Sequence, residues 1–441
     1  MPSLGELTGR VGQWRNWGHT VSAWPSYVSR PGTVDNVVTA VERARERGGT
    51  VKAVGAGHSF TAIAAPRDVA IAPDHQSGLE TVDVERKRVT LRAGTRLFDV
   101  PALLEPYGLA MANLGDIDKQ TLAGAISTGT HGTGLGFGGI ATQVVGATLV
   151  DGTGRVVTIG EDDPRLAAVA LGLGALGVLV EVTLQCVDRF VLESVEGRAP
   201  LATTTAGFLD TVRSEDHFEF FWFPGTDVAL TKTTTRHPGD HKRTPIGAVR
   251  RFVDDQLIGN GVLLAMCELG RAVPSLTPRL TSLASGLMGD RTVTDYSTNV
   301  FTTDRAVRFR ETEWAVPLEN TMPAFEALKS AIAQRDWNIT FPVEVRAAGA
   351  DDLMLSTASG RESGYIAAHR YFRDPRDDFF AEVEAIMVDH GGRPHWGKMH
   401  TRTADYFRSV YPRFDEFLAV RDELDPDRVF VNDYLDEVLG R

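Results

Sequence analysis

The sequence predicts an α+β fold in two domains, and three observations support this prediction. The chain has 441 residues, and chains of this length usually divide into more than one core. Up to about residue 190, short strands alternate with helices, and glycines mark the connections. Beyond Leu192 the strands become longer and richer in aromatic residues, as in "HFEFFWFPG". We therefore expect domains at 1–190 and 191–420, with 421–441 returning to the first domain.

The first helix is predicted from the stretch "TVDNVVTAVERARERGG". Its apolar residues recur at helical spacing, at Val34, Val37, Val38, Val41 and Ala44. Thr33 is the expected N-cap, and Pro31 lies outside the helix. Gly48 and Gly49 end the helix before the strand "VKAV".

Three further elements of the first domain follow from local patterns. A strand is expected at "VTLRAG", and "RLFDVPALLEPYG" predicts a helix whose first turn contains Pro101. The stretch "VVGATLVDGTGRVVTI" predicts a β-hairpin with its turn at 151–154. Strands and helices thus alternate through this part of the chain.

One glycine pattern resembles a nucleotide-binding motif but has the wrong context. Gly172, Gly174 and Gly177 match G-x-G-x-x-G. In a dinucleotide-binding loop a strand precedes the glycines and a helix follows, whereas here a helix precedes and a strand follows. The pattern therefore does not predict NAD binding, although its glycines allow a close approach of the backbone.

Composition excludes several classes of function. The net charge of -12 argues against a nucleic-acid surface, which needs clustered Lys and Arg. Cys186 and Cys267 form no CxxC or Cys/His cluster, so neither a disulfide framework nor a metal site is predicted. The longest apolar run, 166–180, is shorter than the roughly 20 residues that span a bilayer. With no signal-like apolar stretch at the N-terminus, we expect a cytoplasmic protein without membrane spans.

Two glycine-rich segments are the candidate binding loops, "GAGHSF" at 55–60 and "TLAGAISTGTHGTGLGFGG" at 121–139. Backbone amides can approach a pyrophosphate only where side chains are small or absent. The segments lack the GK[ST] of a P-loop. Each histidine has a structural alternative: His58 as a loop residue bonded to a carbonyl, and His131 as a buried packing residue.

Taken in order, several motifs resemble those of a flavoenzyme family. "VGAGHSF", "AGAISTGTHGTG" and "LGALGV" are similar to the FAD-binding domain of the vanillyl-alcohol oxidase superfamily. "FPVEVR", "YIAAHRY" and "RPHWGKMH" are similar to its sugar-1,4-lactone and alditol oxidase branch, and most to the bacterial gulonolactone dehydrogenases. The resemblance extends from Pro25 to Gly440. It implies a PCMH-type FAD-binding domain and a substrate (cap) domain with an antiparallel sheet.

The resemblance assigns FAD as cofactor, with His58 covalently attached to the 8α-methyl of the flavin. The other residues expected at the cofactor are Val54, Gly55, Ala56, Gly57, Ser59, Gly115, Thr121, Ala125, Thr128, Gly129, Thr130, His131, Gly132 and Val178. Val178 is expected near the adenine. A small side chain within 115–121 is expected to control the access of oxygen to the flavin.

The resemblance also assigns the catalytic groups. Glu344, Arg346 and Lys398 are expected near the reacting part of the flavin, and His369 and His400 are weaker candidates. Glu344 and Arg346 share a face because they are two residues apart on a strand; the alternative is a surface ion pair. Arg346 and Lys398 would stabilise the developing alkoxide. Glu344, beside two cations, is expected to keep a low pKa and to act as a hydrogen-bond anchor.

The implied reaction is oxidation of a sugar lactone or polyol, with hydride transfer to FAD and reoxidation by O₂ or a redox carrier. Alditol oxidation producing H₂O₂ is one alternative. A biosynthetic oxidation of a sugar-bearing or nucleoside-like metabolite is another, and a non-catalytic FAD-binding protein is the third. Reduction of the bound flavin by added substrates distinguishes these classes.

Overall fold

The computed structural model describes residues 13–247, 260–287, 290–303, 305–335 and 337–441. The strands are β1 (Trp14–Arg15), β2 (Ser22–Ala23), β3 (Tyr27–Ser29), β4 (Val51–Ala53), β5 (Val69–Ile71), β6 (Leu79–Asp83), β7 (Arg88–Arg92), β8 (Leu109–Ala110), β9 (Val144–Val150), β10 (Val156–Ile159), β11 (Val178–Gln185), β12 (Val187–Asp188), β13 (Phe190–Pro200), β14 (His217–Trp222), β15 (Val228–Pro238), β16 (Arg291–Tyr296), β17 (Phe309–Pro317), β18 (Val343–Ala348), β19 (Ser363–Tyr371) and β20 (Arg393–Pro394).

The α-helices of the same residues are α1 (Val34–Glu46), α2 (Val100–Leu104), α3 (Leu122–Ser127), α4 (Leu166–Val169), α5 (Leu201–Ala206), α6 (Phe208–Ser214), α7 (Leu263–Ala272), α8 (Thr277–Leu287), α9 (Ser297–Phe301), α10 (Thr321–Ala333), α11 (Phe379–Asp389), α12 (Ala404–Val410), α13 (Phe414–Leu424) and α14 (Asp433–Leu439). The predicted α+β class is confirmed. The first residues of the chain, used above to argue against a signal segment, lie in part outside the described ranges.

Within the described residues, the first half of the chain contains two main sheets, besides the two-stranded pairs β1–β2 and β8–β12. Strands β3, β5 and β4 make a parallel sheet, and β10, β9, β11, β7 and β6 make an antiparallel one. Helix α1 begins after Thr33, whose hydroxyl accepts a hydrogen bond from the Asn36 amide at 3.3 Å. The predicted hairpin is β9–β10, and Pro101 lies in the first turn of α2. The glycine pattern around residue 174 lies after α4 and before β11, as its sequence context predicted.

The second half is built on an eight-stranded sheet in the order β16-β13-β15-β14-β18-β19-β17-β20. One face of its central strands is apolar and packs against α6, α10 and α11 in a core that contains Phe220, Val345 and Phe325. Side chains on successive strand residues point to opposite faces. The other face therefore carries the intervening residues of β14, β17, β18 and β19, many of which are charged.

The last part of the chain returns to the first half. The Val51 amide donates to the Val429 carbonyl at 2.8 Å, and the Asn432 side chain donates to the carbonyls of Ala62, Ile63 and Ala65. Helices α12 and α13 also pack on the core of the first half, through Phe407, Tyr411, Phe414 and Phe417. On these contacts we propose that the return begins near β20, before residue 421.

None of the helices in the described ranges has the length and apolar character that crossing a bilayer requires.

Candidate active site

A cleft with about 620 Å³ of empty space lies between the two glycine-rich loops and the charged face of the large sheet. The first half of the chain lines it with Trp17, His58, Ser59, Phe60, Gly115, Asp116, Ile117, Gln120, Thr128, Thr130 and His131. The second half lines it with Phe309, Glu311, Glu313, Arg346, His395, Gly397 and Lys398. Residues predicted to bind the cofactor and residues predicted to act on the substrate thus share one cleft.

The first loop, Gly55–Ser59, has the form of an anion cradle. Within the described part of the chain, the five amides of this loop donate no hydrogen bond to the protein. Gly57 has a φ of +71°, which a residue with a side chain rarely adopts. A Cβ on Gly55 would lie 2.5 Å from the Thr121 hydroxyl, so the two predicted loops touch at a point where no side chain fits. Five free amides in a glycine-rich turn fit the pyrophosphate of FAD.

The second loop packs closely on the segment before α3. A Cβ on Gly132 would lie 2.3 Å from the Leu114 carbonyl oxygen, and one on Gly115 would lie 3.0 Å from that of His131. Gly129 has a φ of +77°. These glycines let the backbone of both segments reach the cleft, which again fits a flat, extended cofactor.

His58 is available for bonding. Neither nitrogen of its ring has a hydrogen-bond partner among the described residues, so the alternative of a loop histidine bonded to a carbonyl does not apply. The ring stacks on Trp17, with centroids 5.6 Å apart and planes at 29°. Burial, together with the charges of Arg96, Lys398 and Lys119, lowers the pKa of His58 to about 4. The imidazole is therefore neutral at physiological pH, the form that reacts as a nucleophile.

The pairing of strands β17, β18 and β19 places the catalytic candidates side by side on the charged face of the sheet. Glu344 on β18 lies opposite Ala367 on β19, which lies opposite Glu313 on β17. Glu311 lies opposite His369 on the same pair of strands. Two residues of "FRETEW" therefore face the cleft from β17, next to the Glu-x-Arg pair of β18.

Strand β17 also holds the loop that carries Lys398. The amides of His395 and Met399 donate to the carbonyls of Glu313 and Glu311, each at 2.9 Å. The ammonium of Lys398 forms an ion pair with the Glu311 carboxylate, whose side chain is 5% exposed. Burial favours the neutral form of Glu311, but Lys398 and His369 lower its pKa to about 2. The strand thus fixes both the backbone and the charge of the lysine.

Arg346 is shared between two carboxylates. It donates to Glu313 at 2.7 Å and lies 3.4 Å from Glu344. The Arg346 and Glu344 side chains are each 11% exposed, so this pair is not a surface ion pair. Glu313 is 1% exposed. Burial favours its neutral form, but Arg346 and His131 hold its pKa well below the usual range.

The expectation of a low pKa for Glu344 is wrong. Burial raises its pKa to about 7, and the charges of Glu219 and Asp116 add to this effect, while Arg346 and Arg305 oppose it. The reason is that the cost of burying the carboxylate exceeds the opposing effect of Arg346, which lies 3.4 Å away. Glu344 is therefore close to half ionised at neutral pH.

His131 and His395 complete the floor of the cleft. His131 is buried, its Nδ1 lies 2.9 Å from the Gly132 carbonyl, and its Nε2 lies 3.4 Å from Glu313. His395 accepts the Gly397 amide through Nδ1 at 3.0 Å, and burial lowers its pKa to about 3. These residues and Glu313 place three potential metal ligands together. Arg346, however, already occupies Glu313 at 2.7 Å.

Other predicted residues lie away from the lining of this cleft. His369 is buried behind it, with Nδ1 3.1 Å from the Pro342 carbonyl and Nε2 3.5 Å from Glu311. His400 packs between Tyr434 and Phe407, and burial lowers its pKa to about 3. Val178 lies in a core with α1. His400 therefore contacts Tyr434 and Phe407 and does not line the cleft, and its role stays a prediction.

Three acidic residues of the cleft were missed in the sequence. Asp116 lines the cleft from the first half and pairs with Arg305 of the second half at 2.6 Å. Glu311 and Glu313 lie two residues apart on β17 and therefore on one face of it, and two charges on one face of a strand are a signal for a polar pocket. Their partners become visible only when β17, β18 and the loop after β20 are brought together.

Comparison with known proteins places the chain in a family. Residues 182–438 match the model of D-arabinono-1,4-lactone oxidase, and residues 25–160 match that of an FAD binding domain. The chain belongs to the D-arabinono-1,4-lactone oxidase family. It is an FAD-dependent oxidoreductase.

Two relatives span nearly the whole chain of this family member. An L-gulono-1,4-lactone dehydrogenase of Mycobacterium tuberculosis is 42% identical over 97% of this chain and 99% of its own. An L-gulonolactone oxidase of Scyliorhinus torazame is 34% identical over 96% of this chain and 98% of its own.

A solved structure, a solvent-stable cholesterol oxidase, matches with a TM-score of 0.83 at 20% identity, covering 97% of both chains. At this identity the match shows the fold alone, and it agrees with the predicted fold class.

Proposed function

We propose that this enzyme oxidises a hydroxyl-bearing carbon of an aldono-1,4-lactone, of the L-gulono-1,4-lactone type. The observation that carries the proposal is the meeting of both glycine-rich loops with Arg346 and Lys398 in one cleft. The two relatives described above, a gulonolactone dehydrogenase and a gulonolactone oxidase, support the substrate class.

When bound, FAD supplies the acceptor for the hydride of the carbinol carbon. Arg346 and Lys398 are fixed cations in the wall of the cleft, and they stabilise the negative charge that develops on the substrate oxygen. Glu344 orients Arg346 from 3.4 Å. Glu344 acts on the cleft through Arg346, and burial raises its pKa to about 7.

The cofactor is proposed to be covalently attached to His58. A neutral ring without hydrogen-bond partners in the described structure, stacked on Trp17 at the edge of the cleft, supports this attachment. The remaining cofactor assignments, from Val54 through Val178, stay predictions. A reducing, cytoplasmic location also belongs to the proposal, and the two buried free cysteines are compatible with it.

The test is an anaerobic titration of the purified yellow protein. L-gulono-1,4-lactone is expected to bleach the flavin absorption, and readmitted O₂ or an added redox dye is expected to restore it at rates that identify the electron acceptor. Bleaching by an alditol or a nucleoside, with none by the lactone, would replace the proposed substrate class. Absence of bleaching by every sugar derivative would identify a binding protein instead.

A further inference from the structure

The cations of the cleft are already neutralised. Lys398 is paired with Glu311, and Arg346 with Glu313. Both carboxylates are at most 5% exposed, so water cannot screen them effectively. Among the described residues that line the cleft, no Lys or Arg is left without a carboxylate partner.

A third carboxylate of the lining, Asp116, is also engaged by a cation and supplies no counter-charge for an anion. Asp116 is 33% exposed and is held through one oxygen, Oδ2, by Arg305. The charges of Arg305, Arg346 and Lys398 lower its pKa, although burial opposes this. Asp116 is therefore ionised at neutral pH, and its other oxygen has no hydrogen-bond partner in the described structure.

We infer that Glu311 and Glu313 make this cleft selective for uncharged substrates, because they neutralise the two cations that would otherwise bind a carboxylate. The inference rests on the proposed function and narrows its substrate class. A 1,4-lactone in water is accompanied by its hydrolysis product, the aldonate, which has similar hydroxyl groups but carries a carboxylate. The cleft admits the closed ester and rejects the open anion.

The physical reason is that both cations already have a carboxylate partner. Their remaining N–H groups can stabilise the partial charge on a reacting oxygen, but among the described residues of the lining no unpaired positive charge is left for a carboxylate. A carboxylate that enters this cleft loses water and meets ionised carboxylates in a medium of low dielectric constant. Arg346 could receive it only by leaving Glu313, with which it makes a hydrogen bond of 2.7 Å. Juxtaposed like charges disfavour a ligand strongly, so the aldonate is expected to bind at least about 100-fold more weakly than the lactone.

The experiment measures binding to the holoenzyme by flavin difference spectra, using three probes: L-gulono-1,4-lactone, L-gulonate and an uncharged alditol of the same carbon number. The titrations are anaerobic and contain no redox dye. For each probe, the dissociation constant is taken from the first change in the flavin absorption spectrum, before the flavin is reduced. The lactone and the alditol are expected to bind with comparable strength, and L-gulonate at least about 100-fold more weakly. The alditol separates the effect of charge from the effect of ring closure.

Glu313→Gln provides a gain of function. It keeps the shape of the side chain, removes one negative charge and frees Arg346, so binding of L-gulonate is expected to tighten at least about 10-fold relative to wild type. Glu311→Gln is expected to do the same through Lys398. Glu319→Gln, at an exposed position just beyond β17, removes the same charge from the surface and should leave all three constants unchanged.

Two results would overturn the inference. One is binding of L-gulonate within about 10-fold of the alditol in wild type, which would show that charge does not discriminate. The other is the absence of tighter L-gulonate binding in both Glu311→Gln and Glu313→Gln. The proposed function fails by a different result, namely that the lactone binds without ever reducing the flavin.

Discussion

Glu344→Gln tests the electrostatic description of the site. The carboxyl group has a pKa raised to about 7, chiefly by burial and then by Glu219 and Asp116, against the opposing effect of Arg346. In an unfolded chain a glutamate titrates near 4.3. The folded protein therefore holds this proton more tightly, and ionisation of Glu344 lowers the stability of the fold as the pH rises from about 4 to about 7. Glutamine at this position does not ionise, so the variant keeps the stability that the wild-type protein loses as the pH rises.

The size of the effect follows from the shift. A change from the ordinary value to about 7 corresponds to about 4 kcal/mol, at about 1.4 kcal/mol per pKa unit. Glu344→Gln is expected to raise the free energy of unfolding by about 4 kcal/mol at pH 8 and by only about 1 kcal/mol at pH 5. Urea unfolding of the holoenzyme, followed by tryptophan fluorescence at both pH values, measures this difference.

The comparison variant is Glu313→Gln, for which the expected change in the free energy of unfolding at pH 8 has the opposite sign. The pKa of Glu313 is held well below its usual range, so its charge stabilises the fold above the unfolded pKa, and its removal should lower stability at pH 8. If Glu344→Gln shows the same difference from wild type at pH 5 as at pH 8, the raised pKa is refuted. If both variants lose stability at pH 8, Arg346 is held by Glu344 and Glu313 alike.

Three further predictions concern the cofactor and the reaction. His58→Ala should release the flavin into the supernatant after acid precipitation, and flavin that stays with the precipitated mutant chain would contradict the covalent assignment. Lys398→Met should reduce the rate of flavin reduction, measured by stopped-flow absorption, by about 100-fold or more. The control Lys329→Met, on α10, should leave this rate unchanged. A Lys398→Met enzyme as fast as wild type would exclude Lys398 from the reaction. Gly132→Ala places a methyl group 2.3 Å from the Leu114 carbonyl, so the purified variant should contain less FAD, and full occupancy would show that the loop can move.

Local patterns predicted local structure well. Helix α1 and its cap, the hairpin β9–β10 and the proline at the start of α2 depend on residues close together in sequence. The two glycine-rich loops were also recognisable, because a missing side chain has the same geometric meaning in any context. The placement of His58 and Lys398 in one cleft, by contrast, was expected only from the family resemblance.

The electrostatics of the site could not be predicted from the sequence. The sequence places Glu344 beside Arg346, and this proximity suggested a low pKa. Which carboxylate captures the guanidinium depends on the pairing of β17 with β19, and this pairing brings Glu313 within 2.7 Å of Arg346. The same strand pairing determines where Glu311 and Lys398 meet. Charge relationships across a sheet are set by register, and no tight turn fixes the register here, because long connections separate β17, β18 and β19.

The return of the chain to the first half has a consequence for biosynthesis. The strand before the cradle is bonded to Val429, and the turn after it is bonded to Asn432, some 370 positions later in the sequence. The amide of Phe60, next to the cradle, donates to the Gly397 carbonyl. Until these late residues have left the ribosome, the strand before the cradle and the turn after it lack these hydrogen-bond partners. We therefore expect the flavin to be inserted only after synthesis of the chain is complete, and a chain truncated before residue 429 should be purified without bound flavin.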